Sequence, residues 1–226
     1  MPAAETPRAL LGALELPRTM LEMGSLAASA AYLQLVARGD GHPVIVLPGY
    51  TASDESTRLL RQYLSSIGYD ARPWNLGRNL GLREAGAFDA LHGELERIAE
   101  RTGKRASLIG WSLGGVHARN LAKRAPRHVR QVISLGSPLG GSQPHADIPS
   151  TAIYSRTDGV VAWRLAMEEP SAFTDNIEVY GSHCGLGFNP AVYYAIADRL
   201  SQPEGRFERF HRAGWRAAVY GPAELH

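Results

Sequence analysis

The sequence predicts an α/β protein: a doubly wound, mainly parallel sheet of six strands, preceded by an extra N-terminal helix. Short apolar, β-rich runs alternate with longer stretches of helical spacing, the pattern of a parallel sheet covered on both faces. Gly and Pro stand at the joints between them. Of 226 residues, 44% are hydrophobic and 20% charged, which separates the chain from a disordered one. That length suits a single core, so one domain over 1–226 is expected, made of a helical segment at 1–40, a core at 41–200 and a tail at 201–226.

The elements follow in order. Met20 to Val36 is rich in Ala, Leu and Met but interrupted by Glu22, Ser25, Ser29 and Gln34, so it reads as an amphipathic packing helix; a membrane span needs roughly 20 mainly apolar residues. Val44 to Leu47 is the first strand, ended by Pro48-Gly49. Leu59, Leu60, Tyr63, Leu64 and Ile67 mark a helix over 55–67, closed by Gly68. Tyr69 to Trp74 is a second strand and Ala87 to Arg101 a second core helix, with Leu91, Leu95 and Ile98 on one face. Ala106 to Trp111, Val129 to Leu135, Thr151 to Ser155 and Ile177 to Tyr180 supply the remaining strands. Leu113 to Lys123, Trp163 to Met167 and Ala191 to Leu200 supply the helical segments among them. The aromatic and Arg-containing stretch after Gln202 has no period and is expected to fold back on the core.

Bulk properties exclude several classes of function. A formal net charge of +2, with no dense Lys/Arg run, lacks the footprint of a nucleic-acid binder. The single cysteine, Cys184, allows no internal disulfide and no multi-Cys metal site, and reads as a small packed residue. Met1 to Arg18 makes a poor secretory signal, since no basic flank leads into a clean apolar core, so a cytoplasmic location is expected.

The chemistry concentrates in Gly110-Trp111-Ser112-Leu113-Gly114, a G-x-S-x-G set between a strand and a helix. Such a turn strains the serine backbone and lifts its hydroxyl into the open, and its glycines remove side chains that would collide with strand and helix. The helix start offers N–H groups to a developing oxyanion, Leu113 N–H first. A serine hydroxyl needs a base, and the base a carboxylate, in the chain order Ser, acid, His. Asp158 follows a strand after Ser112, whereas Glu168, Glu169 and Asp175 precede one. His183 in Gly181-Ser182-His183-Cys184-Gly185 follows the last strand. His145 precedes Asp158, His211 and His226 lie in the tail, and His117 reads as structural or solvent-facing.

On these residues the sequence resembles the α/β-hydrolase superfamily, and within it small bacterial lipases and esterases with little or no cap, over roughly Val44 to Leu200. The resemblance implies a triad of Ser112, Asp158 and His183, with the loop Leu47-Pro48-Gly49-Tyr50 providing the Tyr50 N–H to the oxyanion hole. Pro48 departs from the usual His there, which touches side-chain support and leaves the backbone donor intact. Gly136-Ser137-Pro138-Leu139-Gly140-Gly141 resembles the loop that lines the pocket, and Asn75 to Asn79 a second wall. Trp111, Tyr50, Leu113, Leu139 and Trp163 are expected to line a mainly apolar cleft, left open because 136–151 is too short for a cap domain.

The expected activity is therefore serine carboxylic-ester hydrolysis on a lipid or small-molecule ester, with no cofactor and no metal. The alternatives are thioesterase or acyltransferase chemistry on the same triad, or a non-catalytic module that binds acyl groups. Oligomeric state is not readable from the sequence.

Overall fold

In the computed structural model the described residues are 7, 9–81, 86–140 and 143–222. Strand β1 (Pro43–Leu47) has all five residues buried, as a strand covered on both faces requires. Side chains alternate along it: Val44 and Val46 join one apolar cluster, Ile45 and Leu47 another on the opposite face. The same split recurs in β3 (Ala106–Trp111), where Ile109 and Leu108 go to opposite clusters. With β2 (Asp70–Pro73), β4 (Val129–Leu135), β5 (Ser150–Tyr154) and β6 (Thr174–Glu178) they form a six-stranded sheet in the order β2-β1-β3-β4-β5-β6. All five pairings are parallel, so the mainly parallel sheet read from the sequence is wholly parallel.

Helices cover both faces. On one side lie α3 (Arg58–Ser66), through Leu60 and Leu64, and α6 (Pro190–Leu200), through Val192 and Ile196. On the other lie α4 (Ala87–Thr102), through Leu91, Leu95 and Ile98, and α5 (Leu113–Arg124), through Ala118 and Leu121. Each fully buried Leu or Ile contributes about 1.5–3 kcal/mol relative to exposure. The start of α6 is defined by Pro190 in its first turn and by the Asn189 side chain, which accepts from Ala191 N–H.

Three elements differ from expectation. Strand β6 lies at Thr174–Glu178 and not at 177–180. Its polar start is satisfied in place, because the Asp175 carboxylate takes Phe210 N–H at 2.6 Å and pairs with Arg199 and Arg212 at 3.7 and 3.3 Å. The helical segment expected at 163–167 is one 3₁₀ turn, Trp163–Ala166. The tail does fold back, burying Phe210 and Tyr220 in the cluster over β6 and α6, with a short helix, α7 (Arg216–Val219), between them.

The third difference is the N-terminal segment, which forms α1 (Ala9–Ala13) and α2 (Glu15–Leu33). Helix α2 starts at Glu15 and not at 20, and its amphipathicity is inverted over its first turns, while Leu26 and Leu33 further along pack on the core. Glu15 and Thr19 are buried, while Leu16, Met20, Leu21 and Met23 are exposed. The polar stripe faces inward because loop backbone beneath it offers hydrogen-bond partners that solvent would otherwise supply. No helix among the described residues is long and apolar enough to cross a membrane.

Candidate active site

Strand β3 ends at Trp111 and α5 begins at Leu113, leaving Ser112 at the turn with φ +52° and ψ −121°. A non-glycine residue in that region carries about 1–3 kcal/mol of strain. The turn is tied down on both sides: Ser112 N–H donates to Leu135 O at 2.8 Å, and Ser112 O accepts from Gly115 N–H at 3.0 Å. A Cβ on Gly110 would overlap the backbone of Gly114 and Gly115, and a Cβ on Gly114 would overlap the Leu47 carbonyl. Both glycines of the motif are thus required by contact. Gly115, outside the pentapeptide, is a third: a Cβ there would overlap the Ser137 hydroxyl.

Because the sheet is parallel, the loops after β5 and β6 emerge at the same edge as Ser112. The structure brings Ser112, Asp158 and His183 together there. His183 Nε2 lies 3.0 Å from Ser112 Oγ, and His183 Nδ1 lies 2.7 Å from Asp158 Oδ2. Asp158 is 4% exposed, and its Oδ1 accepts the N–H groups of Val160 and Val161 at 2.8 and 2.7 Å. Only Oδ2 is left for the imidazole, so Nδ1 carries the hydrogen and Nε2 presents a lone pair to the serine hydroxyl. Gly136, at φ +52°, makes room for the pair, since a Cβ there would sit 3.1 Å from Asp158 Oδ2 and 3.2 Å from His183 Nδ1.

The residues weighed against these are engaged elsewhere. Asp175 serves Phe210 and two arginines, and Glu168 pairs with buried Arg119 and accepts from Ser150 Oγ at 2.5 Å. His145 Nδ1 takes the Asp147 N–H, and His226 lies outside the described residues.

A model of the family described as alpha/beta hydrolase fold matches residues 39–167, more than half of the chain. This chain belongs to that family. Among solved structures the chain is similar to Aspergillus fumigatus lipase B, at 18% identity and a TM-score of 0.61, over 72% of this chain and 52% of that one. This chain therefore spans about half the length of that lipase. It is also similar to Bacillus licheniformis lipase BlEst2 in mature form (16% identity, TM-score 0.56, 73% of this chain and 92% of that one). Naproxen esterase from Bacillus subtilis is similar at 15% identity and a TM-score of 0.51, over 81% of this chain and 98% of that one. At these identities the likeness is one of fold. Among curated proteins none matches in sequence.

The loop after β1 of this chain meets Ser112 closely: a Cβ on Gly49 would lie 3.4 Å from Ser112 Cβ. Neither Tyr50 N–H nor Leu113 N–H donates a hydrogen bond among the described residues, so both are free for a ligand oxygen. Support for this loop comes from a residue whose role the motif does not reveal. Fully buried Asn79 donates from Nδ2 to Pro48 O and from its N–H to Ala52 O, both at 2.8 Å, and its carbonyl accepts Thr51 N–H at 2.7 Å. Asn79 Oδ1 in turn accepts Gly81 N–H at 3.1 Å and lies 3.2 Å from His117 Nε2. Burial pushes the His117 imidazole below its ordinary value, so it stands there as a neutral donor. An Asn in a Gly-rich loop is the only sequence signal for this clamp.

Tyr50 and Leu113 also border a cleft of about 770 Å³ that runs along α5. Leu80, Phe88 and Val116 give it an apolar wall, while Asn120, Lys123 and Arg124 continue the α5 face at helical spacing. Trp111, Leu139 and Trp163 do not border it. The Trp111 side chain leaves β3 on the other face, packs on Gly187 and Phe188, and donates to His183 O at 3.2 Å. Leu139 is buried, with its N–H on Leu165 O at 2.7 Å, and Trp163 stacks on Tyr154 beneath Arg156 and Arg164. Gly141 lies outside the described residues.

Half-buried Cys184 follows His183; burial, with the negative charges of Glu15 and Asp158, pushes its thiol above the ordinary value. One group of described side chains has metal-ligating chemistry, His92, Glu96 and His128, with ligand atoms within 4.8 Å of one another. His128 immediately precedes β4, which puts this group at the opposite sheet edge from Ser112.

Proposed function

We propose that this α/β-hydrolase is a serine carboxylic-ester hydrolase, an esterase or lipase, acting on a small-molecule or lipid ester. The observation that carries the reading is the unbroken hydrogen-bonded chain from Asp158 through His183 to a serine hydroxyl held on a strained elbow. Ser112 Oγ attacks the ester carbonyl carbon as His183 Nε2 takes its proton, and Asp158 stabilises the imidazolium. Tyr50 and Leu113 N–H groups receive the oxyanion. His183 then returns the proton to the leaving alkoxide, and a water activated by the same imidazole releases the acid and frees Ser112.

The free N–H pair and the apolar wall beside it favour an acyl ester of short to medium length. Three proteins of similar fold carry the names lipase and esterase, which supports ester chemistry. The test is hydrolysis of p-nitrophenyl esters across chain lengths, with Ser112→Ala beside the wild type and a fluorophosphonate label mapped by mass spectrometry. Turnover lost in the variant with the label on Ser112 is the expected result. A folded protein with neither turnover nor label sinks the reading.

A further inference from the structure

The polar stripe of α2 is spent on the two loops that carry Asp158 and His183. Glu15, 6% exposed, accepts Gly159 N–H at 2.9 Å and His183 N–H at 3.0 Å on one carboxylate oxygen and Cys184 N–H at 2.9 Å on the other. One turn on, Arg18 donates to Thr157 O at 2.7 Å, and Thr19 Oγ1 lies 3.1 Å from Ser182 Oγ. Glu22 accepts Ser182 N–H at 2.7 Å. The contact surfaces are shaped for this approach: a Cβ on Gly159 would lie 2.6 Å from Gly12 N, and one on Gly185 would overlap the Glu22 carboxylate.

Helix α2 lies before residue 39, where the match to the family begins. We propose that Glu15 is a positioning residue of the active site, whose single buried carboxylate fastens the Asp158 loop to the His183 loop. The proposal rests on the Ser112–His183–Asp158 reading above. The carboxylate accepts backbone N–H groups and bonds neither the Ser112 hydroxyl nor the His183 ring. Its donors are the His183 N–H itself and the N–H next to Asp158, so beyond the Ser155 and Thr157 hydroxyls, which tie the bases of the two loops at Gly181, it fixes the separation of the main chains from which the 2.7 Å imidazole–carboxylate contact is suspended.

A side chain that only anchored a helix would bond one loop, and its loss would lower stability without changing turnover per folded molecule. A positioning carboxylate predicts a loss in kcat at constant KM. The experiment measures p-nitrophenyl butyrate hydrolysis by wild type, Glu15→Ala, Glu15→Asp and Ser112→Ala, well below each melting temperature, with amide exchange at residues 159, 183 and 184.

Glu15→Ala is expected to lower kcat on the order of 10²-fold with KM within about twofold, the scale of an ångström-level misplacement. Glu15→Asp, too short to span both loops, is expected to lose about tenfold. Exchange at the three amides should quicken in both. Should the alanine variant not fold, the aspartate variant decides alone. A kcat within about twofold of wild type in a folded Glu15 variant, with Ser112→Ala inactive, overturns the proposal and leaves the triad reading intact. Wild-type turnover in Ser112→Ala removes both together.

Discussion

The two halves of the candidate site are held by different means. On the β1–β3 side, Ser112 is fixed by close backbone contacts: its own strained turn, the glycines at 110, 114 and 115, and the loop at 48–52 clamped by Asn79. On the β5–β6 side, Asp158 and His183 stand on loops whose main chains are joined by side chains from α2, more than 130 residues earlier in sequence. One half is built by backbone overlap, which has no tolerance for an added atom. The other is built by hydrogen bonds from the side chains of a helix laid across the two loops. Backbone contact and side-chain contact therefore predict different responses to mutation.

The largest effect tests the juncture of the two halves. Asp158→Asn keeps the side-chain size but presents an amide to the imidazole, which favours the wrong tautomer; kcat is expected to fall on the order of 10⁴-fold while the fold persists. Ester hydrolysis with circular dichroism as a fold control reads this directly, and a loss below tenfold would separate Asp158 from the chemistry.

Next come paired glycine substitutions. Gly114→Ala drives a Cβ into the Leu47 and Pro48 carbonyls and should destabilise by about 3 kcal/mol or more in urea unfolding. Gly159→Ala drives one against Gly12 and Leu11, where the α1–α2 unit can shift outward, so about 1–2 kcal/mol is expected, with a fall in kcat. Equal costs at the two sites would erase the contrast between a rigid and a yielding half.

Asn79→Ala leaves the Pro48 carbonyl and the Gly81 N–H without their partner, for about 1–3 kcal/mol. Because the 48–52 loop carries the Tyr50 N–H, kcat/KM should fall by roughly 10–10²-fold if that donor serves the oxyanion. Stability loss without a kinetic effect would detach the clamp from the site.

A smaller effect comes from pH. Burial pushes both His42 and His117 below the ordinary imidazole value; for His42 the Asp40 hydrogen bond opposes the shift without reversing it. The unfolded chain then binds protons that the folded one refuses, so the stability from these groups is fully present above about pH 6.5 and is lost as pH falls through the depressed folded values. The melting temperature should drop between about pH 7.5 and 5.5. His117→Gln should flatten that slope, and an unchanged slope would count against a buried neutral His117.

The smallest effect is at Cys184, whose raised thiol should alkylate more slowly than a free cysteine in a peptide, with Glu15→Ala narrowing the gap. Iodoacetamide kinetics would show it.

The sheet was legible because each strand is bounded by turn residues and carries apolar side chains in step with its faces, as β1 does at Val44 to Leu47. Strand β6 was misplaced because Thr174, Asp175 and Asn176 look like loop residues until Phe210 N–H and two arginines are seen to satisfy Asp175. At the site, Ser112 could be picked out by a local pattern, and Asp158 and His183 by their order after strands. Asn79, Gly115 and Gly136 could not, since their importance lies in what an added or missing atom would touch across the fold.

Helix α2 marks the limit most clearly. Its composition reads as an amphipathic packing helix, and the face that packs is polar in its first turns, at Glu15 and Thr19, and apolar only later, at Leu26 and Leu33. Periodicity reports which residues share a face, and that much the sequence determined here, together with the sheet, the turn at Ser112 and the placing of Asp158 and His183 on loops after strands. Which face turns inward depends on the free energy of what lies opposite it. For Glu15 that is a trio of loop N–H groups, brought to one place only after β5 and β6 have aligned. Only the tertiary structure decides that, because hydrogen-bond partners 140 or more residues apart leave no trace in local spacing.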